Sequence, residues 1–308
     1  MDDRLQELHN QAAANCLAVI GTTPASDIQE AARLFLAAAG EIGPYDSYNV
    51  FPAEAYAVLD KAEAQFGPDG RRSLLRYVLL RTTMATLESA RFSALPSTVS
   101  LEHTAQLARI VADIDTSAVW LNLSSDLFRK EFGLASLRLY AAGAQLVDFR
   151  CGVPRSIVWR GGARNIPRTW GALIRAGGFR PYFQIHTHDF MLNAFNSAGW
   201  DTCYICCAEL YSVHPEVRGM FGSSWFYDPQ LDTVSPRLSY LRQVPRTGGA
   251  HLFLWERGGQ ALNNALSTSP TRRKMYEEGS YFPAAYMLMW PRKQQIAWAK
   301  AYAARQRE

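Results

Sequence analysis

The feature that most limits what this chain can fold into is a change of texture near residue 118. From Leu5 to about Thr116 the dominant residues are Ala, Leu, Glu, Gln and Arg, and Pro and Gly are widely spaced. These side chains lose little freedom in a helix, so the pattern predicts helices. Beyond that point Gly, Trp, Tyr and Pro become frequent, and the apolar runs shorten to strand length. The expected fold is α/β (α+β), with a helical region over 1–117 packed on a mixed-sheet α/β catalytic region over 118–308.

Within the first region, Ser26-Asp27 caps a helix over Ile28–Ala39, and Gly40 stops it. A turn follows over Gly43–Pro52. A helix over Ala53–Phe66 is closed by Gly67-Pro68-Asp69-Gly70, and the next runs from about Arg71 to Arg91. Leu74, Leu75, Val78, Leu79 and Met84 recur there at core spacing. Ser100–Ala112 is a further helix. In the second region, strands are expected over Leu137–Phe149 (bent at Gly143), Ser156–Trp159, Phe179–Ile185, Met220–Tyr227, Arg237–Val244, Ala261–Leu266 and Ala284–Trp290. Helices are expected from Pro167 to Gly177-Gly178, and over Asp189–Ser197, Thr202–Val213, Ala250–Arg257, Ser269–Gly279 and Gln294–Gln306.

Composition narrows the function classes. A net charge of +4 without a long Lys/Arg block argues against a nucleic-acid partner. The nearest basic runs, Arg71-Arg72 and Arg272-Arg273-Lys274, are short enough to be solvated faces. No apolar stretch is long enough to span a bilayer, and Met1–His9 is too polar for a secretory signal. Five cysteines, an odd number without extracellular spacing, suit reduced thiols. A cytoplasmic protein acting on a small molecule, with no membrane partner, is therefore expected. The oligomeric state is not legible.

One constellation lies in the last hundred residues. Arg237–Val244 leads into Arg246-Thr247-Gly248-Gly249-Ala250, and Met275-Tyr276-Glu277-Glu278-Gly279 follows with Tyr281. Over residues 217–292 this order resembles the GNAT superfamily of N-acetyltransferases and their acyl-amino-acid relatives. The resemblance implies a GNAT-like C-terminal region and an acyltransferase that moves an acyl group from a CoA or carrier-protein thioester to an amine. It implies acyl-CoA as donor, with the amides of Gly248, Gly249 and Ala250 holding pyrophosphate and Arg246 adding charge. Glycines and helix starts do favour phosphate on physical grounds. Glu209 or His188 would be the base and Tyr276 the acid. The alternative for Tyr276 is a ring packed on the sheet with its hydroxyl in water.

A rival constellation is His186-Thr187-His188-Asp189 with Glu209 and His214 downstream. Residues two apart on a strand share a face, so His186 and His188 would converge. With Glu209 or Asp189 they would make a ligand set for Fe(II) or Zn(II) in an oxygenase or hydrolase. Cys203, Cys206 and Cys207 read better as small apolar residues of a buried helix than as metal ligands. Gly222–Pro229 suits either a pocket wall or a core strand. Arg150, Arg155, Arg160 and Arg164, around Gly161-Gly162, suit either a bound carboxylate or phosphate or surface ion pairs. A third possibility is a non-enzymatic protein whose helical region binds a partner.

Overall fold

The computed structural model describes residues 3–21, 24–40, 43, 46–160 and 162–307; the side chain of Arg164 lies outside the description. The chain is mixed α/β and divides into two compact units. Unit 1 comprises 1–142, 146–150 and 187–192; unit 2 comprises 143–145, 151–186 and 193–308. No helix among the described residues is long and apolar enough to cross a membrane.

Unit 1 holds helices α1 (Asp3–Ile20), α2 (Ala25–Gly40), α3 (Ala53–Leu87), α4 (Ala90–Ser93), α5 (Ser97–Ala112) and α6 (Asp126–Ala135). Strand β1 (Leu139–Ala142) and most of β2 (Gln145–Cys151) follow and lie side by side. The expected stop at Gly67 is present as a break inside α3, where Gly67 takes φ 74° ahead of Pro68. That conformation is open to glycine at little cost. From Leu74 to Leu80 every side chain of α3 is buried, because α1, α2, α5 and α6 all pack on this helix. A helix surrounded on all sides is apolar nearly all round, and its one buried charge, Arg76, is paired with Asp113 at 3.0 Å.

Unit 2 holds α7 (Ile157–Arg160), α8 (Ile166–Ala176), β3 (Tyr182–His186), α9 (Ser197–Leu210), β4 (Gly219–Ser224), α10 (Leu231–Val234), α11 (Tyr240–Thr247), β5 (His251–Arg257), α12 (Gly259–Ser267), α13 (Pro270–Glu277), β6 (Ala284–Pro291) and α14 (Arg292–Arg305). Its strands run in the order β3-β4-β6-β5, with β3 and β4 parallel and the other two pairs antiparallel. α7 and α8 cover one face through Val153, Ile157, Leu173, Phe221, Phe253 and Met287. On α9, Cys203, Cys206 and Cys207 are all buried, as small apolar residues of a packed helix should be.

Three expected elements exchange identity. Arg237–Val244 is not a strand but a 3-10 turn running into α11, with Leu241 and Pro245 buried four residues apart at helical spacing. Ala250–Arg257 is not a helix; its aromatics alternate, and it forms β5 with Phe253 inward. Ala261–Leu266 is helical, in α12. Ser156–Trp159 is likewise a turn of helix. Gly161 falls outside the described residues.

Candidate functional site

The expected pyrophosphate loop is at the wrong end of a helix. Arg246 is in the last turn of α11, so the loop follows a helix C-terminus, where carbonyls rather than amides are exposed. All three amides are already committed within the chain. Gly248 N donates to Val244 O at 3.1 Å, Gly249 N to Arg246 O at 3.1 Å, and Ala250 N to Pro245 O at 2.8 Å. Gly248 is small for another reason. Trp290 Nε1 donates to its carbonyl at 2.8 Å, and a Cβ there would overlap the indole ring.

The expected base and acid sit on different helices. Glu209 is in the last turn of α9, which leads to the start of β4, whereas Tyr276 is on α13 with its ring centroid 6.1 Å from that of Phe282, just ahead of β6. The start of β6 pairs with the end of β4, so α9 leads into one end of β4 and α13 into the segment that pairs with its other end.

The two histidines do not share a strand face, because β3 ends at His186. His188 lies in unit 1, fully buried, with Phe190 N donating to its Nδ1 at 3.1 Å. Its Nε2 stands 2.9 Å from Glu131 Oε1, outside good hydrogen-bond geometry. Both ring nitrogens thus face protein, Nδ1 within a hydrogen bond and Nε2 beside the carboxylate without one. Glu131, buried on α6, takes both its oxygens to Arg109 Nη2 as well, at 2.8 and 2.9 Å. The Arg109 guanidinium lies 4.5 Å from the Phe190 ring, a cation–π contact. Glu131 escaped the sequence reading, yet its position carries a signal. It sits on the apolar stripe of α6 with Phe128, Phe132 and Ala135, where a carboxylate needs partners.

In unit 2, Cys151 and His186 bring a thiol sulfur and a ring nitrogen within 4.8 Å of each other. On β2, Asp148 is occupied by hydrogen bonds from Ser47 Oγ, Tyr48 N and Arg150 N. Arg160 is taken up by Trp255, lying 3.9 Å over its ring and donating to its carbonyl at 2.9 Å. Asp228, at the end of Gly222–Pro229, is buried and receives Gln230 N and Ala284 N, so it anchors a turn rather than lining a pocket. Of the basic runs, Arg71 and Arg72 pair with Glu63 and Asp69, and Arg272 is buried against Trp225.

What no expectation anticipated is a cleft of about 510 Å³ in unit 2, lined by Arg175, Arg218, Arg292 and Lys293. The one carboxylate lining it is Glu216, whose Oε1 is 3.3 Å from His214 Nδ1. Among the described residues, none of the four cations makes an ion pair. The backbone builds this corner. Arg218 opens β4 and donates its amide to Pro181 O at 3.0 Å, and Arg292 N donates to Arg218 O at 2.9 Å as α14 begins. The Arg292 side chain is braced against Tyr211 O and Pro215 O. α14 has no side-chain N-cap, and two cations occupy its first turn. A helix N-terminus disfavours cations by about 0.3–1 kcal/mol each, a cost that a bound anion would reverse. Compared with known proteins, the chain matches no family model, no curated protein and no solved structure.

Proposed function

We propose that this protein acts on a phosphate-bearing small molecule held in the cleft at the start of α14. The observation that carries the proposal is the set of four cations without ion pairs around one cavity beside an uncapped helix start. The helix dipole and the clustered positive charges favour phosphate there. Acyl-CoA belongs to this ligand class, and the resemblance over residues 217–292 makes it the first to test. On this reading the chain is an acyltransferase from a CoA or carrier-protein thioester to an amine. The phosphate contacts then move from the Arg246–Ala250 loop to Arg175, Arg218, Arg292 and Lys293. A cytoplasmic setting belongs to the same proposal and is supported by five unbridged cysteines.

The test is a thermal-shift titration with CoA, acetyl-CoA, ATP and inorganic phosphate. Saturation at a hundred times Kd stabilises the chain by about 2.7 kcal/mol, which raises the melting point measurably. Lys293→Glu with Arg175→Glu, both exposed, should abolish the shift while the fold persists. A melting point that moves with none of these ligands sinks the proposal. A shift confined to the CoA compounds would favour acyl transfer over other phosphate chemistry. The metal reading retains one observation, the Cys151–His186 pair, and predicts Zn or Fe in the purified chain that Cys151→Ala removes.

A further inference from the structure

Helix α8 connects the cleft to a second one. Its buried side chains are Thr169, Ala172 and Leu173, and Gly177 ends it in the left-handed region, with Gly178 N donating to Leu173 O. Arg168 and Arg175 are seven residues apart, hence on one flank of the helix and about 10 Å from each other along its axis. That flank is directed at β5. The Arg168 guanidinium lies 5.9 Å from the Phe253 ring, and both arginines act on His251, whose pKa is lowered by burial first and by these two charges next.

Arg175 lines the cleft at the start of α14. Arg168 lines another, of about 260 Å³, together with Asn165, Thr169, Arg257 and Tyr286, floored by Phe253. Neither Arg168 nor Arg257 makes an ion pair among the described residues. Two arginines beside a tyrosine suit a carboxylate or phosphate. One helix flank thus leads from one cation-lined cleft to another.

We propose that the two clefts are the ends of one ligand site, which takes an elongated small molecule carrying an anionic group at each end, about 10 Å apart. This rests on the proposed function and narrows its ligand class. The first anion anchors at Arg175, Arg218, Arg292 and Lys293; the second reaches Arg168 and Arg257. Once one end is bound, the other binds intramolecularly and gains from its effective concentration.

Isothermal titration of the full chain with a hexanediol bisphosphate and with hexyl phosphate tests this. The bisphosphate should bind at least about tenfold tighter. Arg168→Gln with Arg257→Gln should lower it to the affinity of hexyl phosphate and leave hexyl phosphate unchanged. A bisphosphate no tighter than the monophosphate, or an advantage that survives the double variant, overturns the inference. If hexyl phosphate still binds and Lys293→Glu removes it, the proposed function stands without this extension. If neither compound binds, the proposed function fails and the extension with it. A single-stranded oligonucleotide that outcompetes the bisphosphate at Arg168 and Arg257 would also overturn it, in favour of a nucleic-acid track.

Discussion

Arg109 donates to both oxygens of Glu131, and one of those oxygens also stands 2.9 Å from His188 Nε2. The carboxylate is 1% exposed, so its hydrogen bonds come from Arg109, with the His188 ring beside it. Removing one member of a buried pair costs more than the pair itself contributes, because the survivor stays desolvated. Glu131→Gln should therefore destabilise unit 1 by about 3 kcal/mol, the low end for such pairs because Arg109 is 27% exposed. Urea denaturation measures it. A loss below about 1 kcal/mol would show that water already compensates Arg109.

His103 on α5 is buried with both nitrogens assigned. Nε2 donates to Leu134 O at 3.1 Å, and Nδ1 accepts from Ala141 N at 3.2 Å. The charged form would need a proton where Ala141 already donates, and burial pushes the pKa down to about 4. Between that value and the ordinary 6.5 the unfolded chain binds the proton and the folded chain does not. Stability contributed by neutral His103 is therefore complete above the ordinary value and is lost as pH falls towards 4. The span is worth about 3 kcal/mol. His103→Gln should be less stable at pH 7 yet lose less on acidification. An identical pH slope in the variant would refute the assignment.

The helical first region was legible because its signals are local. Gly40 and Gly67 stop helices where glycine predicts, and Leu74 to Leu79 are buried as their spacing requires. The strand pair bending at Gly143, the α8 boundaries and the last helix follow from equally local punctuation. Arg237–Val244 and Ala250–Arg257 exchanged identities because short apolar runs fit either period, and tertiary packing decided. The glycines at 248 and 249 suggested phosphate, whereas the need at 248 is room for Trp290. The basic cleft was illegible because Arg175, Arg218, Arg292 and Lys293 are more than a hundred residues apart at the extremes, and only β4, β6 and the ends of α8 and α14 assemble them.

His251 is a reporter for the α8 groove. Its pKa is lowered by burial and, beyond that, by Arg175 and Arg168. Arg175→Gln and Arg168→Gln should each raise it, and the double variant should raise it further, with the burial contribution remaining. A bound dianion should raise it in the native chain for the same reason, by screening both charges. Histidine ring resonances followed by NMR against pH give the values. A His251 that ignores both substitutions and ligand would place the two arginines too far from it to share a ligand.

Gly177 and Gly178 separate the fold of this corner from its chemistry. Both take positive φ, 90° and 114°, so Gly177→Ala and Gly178→Ala should each cost about 1–2 kcal/mol of backbone strain. Their surroundings differ. A Cβ on Gly177 would fall 2.5 Å from Arg218 Nη1, whereas at Gly178 the same atom would be 3.9 Å away. The arginine tip must move aside in the first variant and can stay in the second. Phosphate affinity should fall in Gly177→Ala and hold in Gly178→Ala, at similar melting points. Equal affinities in the two would mean that Arg218 does not reach the ligand, and the anchor would shrink to Arg175, Arg292 and Lys293.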